Sequence, residues 1–120
     1  MYRYKAKVVR VVDADTLDAM VDLGFDIWVK KRIRLEGIDA YEIRTRDKIE
    51  KAKGYIARDR VIEVLKMSDN EIILTSFGKE KYGRCLGRVE LAKSYIRSKK
   101  YHGKIINNML LEEGHAKKYV

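Results

Sequence analysis

Two stretches near the start of the chain alternate between apolar and polar residues. They are residues 4–12 (YKAKVVRVV) and 16–22 (TLDAMVD), and both contain several β-branched side chains. Because successive side chains of a strand point to opposite faces, this period of two predicts a pair of strands. Asp13–Asp15 predicts the turn between them, and Leu23-Gly24 predicts the turn that follows.

A third strand is predicted over residues 26–35 (DIWVKKRIRL). Alternate positions of this stretch differ in polarity, so we expect one face to meet the core and the other to carry charge. The positions expected to point inward are Ile27, Val29, Ile33 and Leu35. The positions expected on the other face are Lys30, Arg32 and Arg34.

The period changes to three and four over residues 46–66, which predicts an amphipathic helix with charges between its apolar positions. The apolar positions that set this period are Ile49, Ala52, Ile56, Val61, Val64 and Leu65. Ser68-Asp69-Asn70 is expected to end the helix.

The second half of the chain again alternates between strand and helix patterns. Glu71–Phe77 (EIILTSF) and Arg84–Leu91 (RCLGRVEL) predict a fourth and a fifth strand. Lys104–Glu113 (KIINNMLLEE) predicts a second helix, with Gly114 as its C-terminal stop. Residues 92–102 fit either a strand extension or a loop.

This order of elements predicts the fold class. Three strands, a helix, two strands and a helix suggest a small curled barrel, because five strands of this length need closure to hide their edges. We therefore expect a mainly β protein, a five-stranded OB-fold barrel with two to three packed α-helices. One domain over residues 1–120 is expected, since a chain of this length supports a single core.

The charge balance indicates the kind of partner. With 27 Lys and Arg against 18 Asp and Glu, the net charge of +9 favours nucleic acid first and an anionic membrane surface second. A solubilising surface is the alternative. The single Cys excludes an intrachain disulfide. Since neither a signal peptide nor an apolar run of about 20 residues is visible, we expect a cytoplasmic protein unless this is a mature secreted form.

Carboxylates cluster where two predicted strands end. The segment RLEGIDAYE, residues 34–42, holds Arg34, Asp39 and Glu42, and VVDADTL holds Asp13 and Asp15. Strand ends and turns can bring such carboxylates together, and two or three hard oxygen ligands suit Ca²⁺ or Mg²⁺. With arginines for a phosphate and a spare carboxylate for a water, these are the groups that phosphodiester hydrolysis requires. For any single aspartate, a turn or capping role is the alternative.

A second candidate segment is KEKYGRCLG, residues 79–87. Here Lys81, Tyr82 and Arg84 surround a glycine that permits a tight turn. A cation fork and an aromatic face in one turn suit a phosphate and a nucleotide base. An ordinary solvated loop is the alternative for these residues taken alone.

Together these segments resemble the staphylococcal nuclease (thermonuclease) family from about Val8 to Tyr119. The resemblance is carried by Asp13-Ala14-Asp15-Thr16, by RLEGIDAYE, by KYGR at 81–84 and by GKIINNMLLEEGHAKKY near the end. It implies a five-stranded OB barrel with helices and calcium-dependent cleavage of DNA and RNA. We expect DNA and RNA as partners, with single strands preferred, no membrane partner and a monomeric state.

The resemblance also implies a metal site and a catalytic acid. Asp15 and Asp39 match calcium ligands, with the backbone carbonyl of Ala40 as a third. Glu42 matches the acid that positions the attacking water and could deprotonate it.

Five further positions match residues that hold the substrate. Arg34 and Arg84 match the catalytic arginines that bind the scissile phosphate, and Lys81 and Tyr82 match residues that hold a neighbouring phosphate. Tyr119 is the candidate for a tyrosine near the C-terminus that lines the same pocket.

Two departures from the family pattern concern the backbone around the acids. Ala14 stands where the family usually has Gly, and Ala40-Tyr41 stands where Thr-Pro usually precedes the glutamate, so the placement of Glu42 is less constrained. The competing interpretation is a non-catalytic OB-fold module that binds single-stranded nucleic acid. Such a module has no use for Asp15, Asp39 and Glu42 together, which favours the enzyme.

Overall fold

The structure is a computed structural model that describes residues 2–92 and 99–119. Its strands are β1 (Tyr2–Asp13), β2 (Thr16–Asp22), β3 (Trp28–Leu35), β4 (Ile38–Ala40), β5 (Glu71–Lys79), β6 (Cys85–Leu91) and β7 (Ala116–Lys118). Its helices are α1 (Lys48–Lys66) and α2 (Ile106–Glu112), and a 3-10 turn covers Lys99–Tyr101.

Five of the strands close into a barrel in the order β1-β2-β3-β6-β5. Neighbouring strands pair antiparallel, except that β3 and β6 pair parallel over Ile33–Leu35. Closure pairs each of these strands on both sides, as expected for strands that would otherwise expose their edges. The predicted mainly β class, an OB-fold barrel with packed helices, is confirmed.

One predicted inward position of the third strand is wrong. Ile27 is 52% exposed and lies before β3, which begins at Trp28. The cause is the preceding turn, in which Phe25 and Asp26 adopt positive φ angles of 55° and 61°. Two consecutive left-handed residues reverse the chain tightly, as in a type I′ hairpin. The other inward positions of this strand pack in or against the core as predicted.

The helix predicted after the third strand is confirmed as α1, but half of its predicted apolar face is wrong. Ile49 and Ile56 are 71% and 59% exposed, and Ala52 is exposed as well. The buried face consists instead of Gly54, Ala57, Val61, Val64 and Leu65. Small residues form the buried face in the first half of α1 because Gly54 packs closely against the backbone of residues 41–42 and the side chain of Ile43.

The remaining predicted strands and the second helix are confirmed with shifted bounds, and Gly114, with φ +75°, follows α2 as expected. The short strands β4 and β7 pair with each other and were not predicted. Of the ambiguous segment 92–102, residues 93–98 lie outside the described residues. Neither described helix combines the length and apolar character needed to cross a membrane.

A buried asparagine attaches α2 to the barrel. The side-chain amide of Asn107 donates to the carbonyl oxygens of Glu36 and Gly87, at 2.9 and 3.1 Å. Its side-chain oxygen accepts from the backbone N–H of Val89 at 3.0 Å. Because Glu36 lies in the turn between β3 and β4, Asn107 fixes that turn, which leads into the acidic segment, against β6.

Candidate active site

The turn between β1 and β2 holds Asp15 in a buried position. One carboxylate oxygen accepts from the backbone N–H of Ala40 at 2.9 Å, and the other accepts from the hydroxyl of Thr16 at 3.0 Å. The backbone carbonyl of Asp15 accepts from the N–H of Leu35 at 2.8 Å. These bonds connect the β1–β2 turn to the end of β3 and to β4, so the two acidic segments of the sequence meet.

Arg34, on β3, lies between the two aspartates. Its Nη2 donates to Asp39 Oδ1 at 3.2 Å, and its Nη1 lies 3.5 Å from Asp15 Oδ2. Nη1 also donates to the carbonyl oxygen of Leu35 at 2.9 Å, which orients the guanidinium. The Arg34 side chain is mostly buried, whereas that of Asp39 is more than half exposed. One guanidinium is therefore shared by two acids that lie far apart in sequence.

The pairing of β4 with β7 brings the C-terminal tail to these residues. Asp39 pairs with Lys117 and Ala40 with Ala116, and the N–H of Tyr119 donates to the carbonyl oxygen of Gly37 at 3.0 Å. The Tyr119 ring centroid then lies 6.0 Å from the Arg34 guanidinium, within cation–π range.

Glu42 follows β4 and is exposed, although neighbouring residues partly desolvate its carboxylate. This desolvation, and then repulsion from the carboxylates of Asp13, Asp15 and Asp39, raises the pKa of Glu42 above its ordinary value. Burial and Asp15 likewise raise the pKa of Asp13, against the lowering effect of Arg44, Arg58 and Arg32. The four carboxylates of Asp13, Asp15, Asp39 and Glu42 therefore lie close enough to influence one another.

In the turn that precedes β6, Arg84 is held by Glu80. Nε of Arg84 donates to Glu80 Oε1 at 3.0 Å and Nη2 donates to Oε2 at 3.1 Å. Glu80 Oε1 also accepts from the backbone N–H groups of Tyr82 and Arg84. These bonds, above all those from the Arg84 side chain, lower the pKa of Glu80 to about 2. The fork orients Arg84 and leaves Nη1 outside it.

Glu80 was not predicted as a site residue, although its spacing of four from Arg84 in KEKYGR is a signal that could have identified the pair. The same turn presents Tyr82, which is 73% exposed. Lys81 Nζ and the Arg84 guanidinium lie 5.1 and 5.7 Å from the Tyr82 ring centroid.

All the predicted side chains line one cleft of about 650 Å³. They are Asp15, Arg34, Asp39, Glu42, Lys81, Tyr82, Arg84 and Tyr119. Ala40, proposed through its backbone carbonyl, lies next to Asp39 on β4. Asp13 and Glu80 line the same cleft and were not among the predicted site residues.

The donors in this cleft suit a hard cation that keeps water in its shell. Among residues 2–92 and 99–119, no three His, Cys, Asp or Glu side chains form a ready-made metal cage. Two carboxylates and a backbone carbonyl with added water are nonetheless a set that Ca²⁺ accepts. Such a cation would also offset the repulsion from Asp13, Asp15 and Asp39 which, after desolvation, raises the pKa of Glu42.

The barrel and the cleft define a class of protein: OB-fold proteins in which acids and arginines from strand ends and adjacent turns line one cleft. Comparison with known families matches residues 32–120 to the family described as "Staphylococcal nuclease homologue", and the chain belongs to this family. Membership indicates a nuclease-like function directed at nucleic acid. Asp15 precedes the matched residues and reaches the cleft through the β1–β2 turn. A search of curated proteins returned no match.

Proposed function

We propose that this protein is a calcium-dependent phosphodiesterase that cleaves DNA and RNA, single strands preferentially, with little sequence specificity. We also propose that it acts as a monomer and as a single domain over residues 1–120. The observation that supports the activity is the cleft in which Asp15, Asp39 and Glu42 are combined with Arg34 and Arg84. A site that only bound a polyanion would gain nothing from three carboxylates, which repel phosphate.

Asp15, Asp39 and the backbone carbonyl of Ala40 would hold the calcium ion. The bound ion would neutralise charge on a phosphate oxygen and bind the attacking water. The buried hydrogen bond from the N–H of Ala40 orients the carboxylate of Asp15 toward this role. Asp39, whose side chain is more than half exposed, is the ligand most accessible from solvent.

The two arginines, which line the same cleft, hold the scissile phosphate. Their planar donors match the charge that builds on the phosphate oxygens as water attacks phosphorus. Arg84 is kept in position by Glu80, and Arg34 by Asp39 and the carbonyl of Leu35. A bound phosphate would compete with Asp39 for Arg34, so the Asp39 carboxylate would be free to hold the metal.

Glu42 positions the attacking water and accepts its proton. The water oxygen then bonds to phosphorus, the ester bond on the opposite side breaks, and the departing oxygen takes a proton from solvent. A neighbouring nucleotide is held by Lys81 and Tyr82 on one side and by Tyr119 on the other. Charge and stacking contacts of this kind accept any base, which is the reason for low sequence specificity.

Metal dependence is the first test. Single-stranded DNA and RNA are incubated with the purified protein in Ca²⁺, in Mg²⁺ and in excess chelator. We expect degradation with Ca²⁺ and none with chelator. Undiminished cleavage in chelator would contradict the metal assignment, and binding without cleavage under every condition would assign the protein as a binding module.

A further inference from the structure

The outer face of β3 carries a row of cations that leads away from the cleft. By alternation along the strand, Trp28, Lys30, Arg32 and Arg34 share one face. Trp28, Lys30 and Arg32 are exposed, while Arg34 reaches into the cleft. Residues two apart on a strand are separated by about 7 Å. Successive phosphates of an extended single strand recur at a comparable interval.

Arg32 is held in the same way as Arg84. Its Nε donates to Asp18 Oδ1 at 2.8 Å and its Nη2 donates to Oδ2 at 3.1 Å, which leaves Nη1 outside the fork. Asp18 is buried on β2, and the hydrogen bonds from Arg32, followed by the charges of Arg32, Lys30 and Arg10, lower its pKa. Three cations therefore surround one carboxylate, and the face keeps an excess of positive charge beyond the cleft.

The row ends at exposed aromatic residues. Trp28 is 48% exposed at the start of β3, and Phe25 is 97% exposed at the tip of the β2–β3 hairpin. Phe25 also holds a left-handed backbone conformation that is unfavourable for a large side chain. Exposed aromatic rings next to a track of cations suit the stacking of bases on a strand whose phosphates follow the cations.

We infer that the outer face of β3 is an extended substrate track, on which Arg32 and Lys30 bind successive phosphates beyond the scissile one and Trp28 stacks a base. The inference rests on the proposed nucleic-acid-binding function and names the path of the strand outside the cleft. Trp28 lies six residues from Arg34, or about 20 Å along the strand. A dinucleotide held in the cleft does not reach Trp28, whereas a strand of about ten nucleotides does.

Trp28 is the single tryptophan of the chain, so its fluorescence reports this one position. In low salt with chelator to prevent cleavage, oligothymidylate of about ten nucleotides is expected to quench Trp28 emission. A 5′-phosphorylated dinucleotide should leave the emission unchanged. No quenching when the long strand is fully bound would overturn the inference. Equal quenching by the dinucleotide would also overturn it, because Trp28 would then belong to a separate nucleotide site.

Lys30→Ala tests the phosphate contact, with Lys5→Ala as a charge-matched control. Lys5 is an exposed strand lysine where β1 pairs with β5, away from the track. Lys30→Ala should weaken binding of the long strand several-fold and reduce the salt dependence of affinity by about 0.7 in log–log slope. Lys5→Ala should have a smaller effect on both the affinity and its salt dependence. Equal effects of the two substitutions would contradict the inference, because they would show that the strand is attracted by the net charge of the protein and not by the outer face of β3.

Two outcomes separate this inference from the proposed function and from another partner. If the long strand quenches Trp28 but no substrate is cut with Ca²⁺, the track stands and the catalytic proposal fails. Vesicles containing phosphatidylserine provide the other comparison. If they shift Trp28 emission while oligothymidylate does not, the hairpin tip binds a lipid surface and the track is wrong.

Discussion

Gly54 of α1 lies directly against the backbone of Glu42. A β-carbon at position 54 would be 3.0 Å from the carbonyl oxygen of Glu42 and 2.9 Å from that of Tyr41. Backbone oxygens cannot move aside as a flexible side chain can. The missing side chain of one helical residue therefore determines how closely α1 approaches the segment that carries the candidate catalytic acid.

Gly54→Ala is expected to lower both turnover and stability. Alanine favours a helix over glycine by about 1 kcal/mol, but forcing a methyl group into this contact costs about 1–3 kcal/mol, so the free energy of unfolding should fall slightly. Displacing Glu42 by about 1 Å should reduce turnover roughly 100-fold. Single-turnover cleavage and thermal melting measure the two effects.

The matched control is Ala52→Gly, on the exposed side of the same helix. It should lower stability by up to about 1 kcal/mol through helix propensity alone and leave turnover unchanged. If Gly54→Ala cuts as fast as the parent protein, the contact with residues 41–42 does not position Glu42.

The barrel was predictable because its signals are local, whereas the roles of most site residues came from the resemblance to the staphylococcal nuclease family. In β5, for example, a period of two predicts the strand and the alternate residues Ile72 and Leu74 are buried. Asp15, Arg34 and Asp39 stand near strand ends and turns, which can bring distant carboxylates together, but their grouping in one site was implied by the resemblance. The exposed isoleucines of α1 show the limit of periodicity, because Ile49 and Ile56 have helical spacing and nevertheless face solvent.

What was not predicted depends on contacts between distant segments. The strands β4 and β7 have three residues each, too few to show a period, and they exist because they pair with each other. Gly54 was not singled out in the sequence, because its role is visible only against the backbone of residues 41–42. The importance of Glu80 comes from a turn that folds its carboxylate onto the donors of Arg84 and onto two backbone N–H groups.

The Glu80–Arg84 fork predicts a pH-dependent contribution to stability. Because the folded-state pKa of Glu80 is about 2, below the ordinary 4.5, its charge stabilises the fold above pH 4.5. This contribution is lost as the pH falls from 4.5 toward 2. Glu80→Gln should therefore melt below the parent protein at neutral pH, and the difference in Tm should shrink over that interval.

Glu112→Gln is the control for the fork. The Glu112 carboxylate is 67% exposed and lies 3.8 Å from Lys104, so water screens the pair and its loss should change Tm little at any pH. A Tm difference for Glu80→Gln that stays constant down to the lowest pH would show that the neutral hydrogen bonds, and not the charge, matter.

Asp39→Ala tests the metal site directly. Loss of a residue that only supports a metal ligand typically weakens metal binding by about 10- to 100-fold. Because Asp39 is proposed to bind the ion directly, Asp39→Ala should raise the dissociation constant for Ca²⁺ by at least about that factor. Calorimetric titration with Ca²⁺ measures it. Asp59→Ala removes the same charge from the exposed surface of α1 and should leave the constant near that of the parent. Equal affinities for the two variants would remove Asp39 from the ligand set.

Glu42→Gln separates water activation from metal binding. Glutamine keeps the shape of the side chain but cannot take a proton, so single-turnover cleavage should fall by about 10²–10⁴-fold. Since Glu42 is proposed to act on a water, calcium affinity should fall less than in Asp39→Ala, and the melting temperature should stay close to that of the parent protein. Cleavage at the parent rate with an unchanged melt would make Glu42 a surface acid without a catalytic role. Loss of calcium as complete as in Asp39→Ala would instead make Glu42 a direct ligand, and some other group would have to accept the proton.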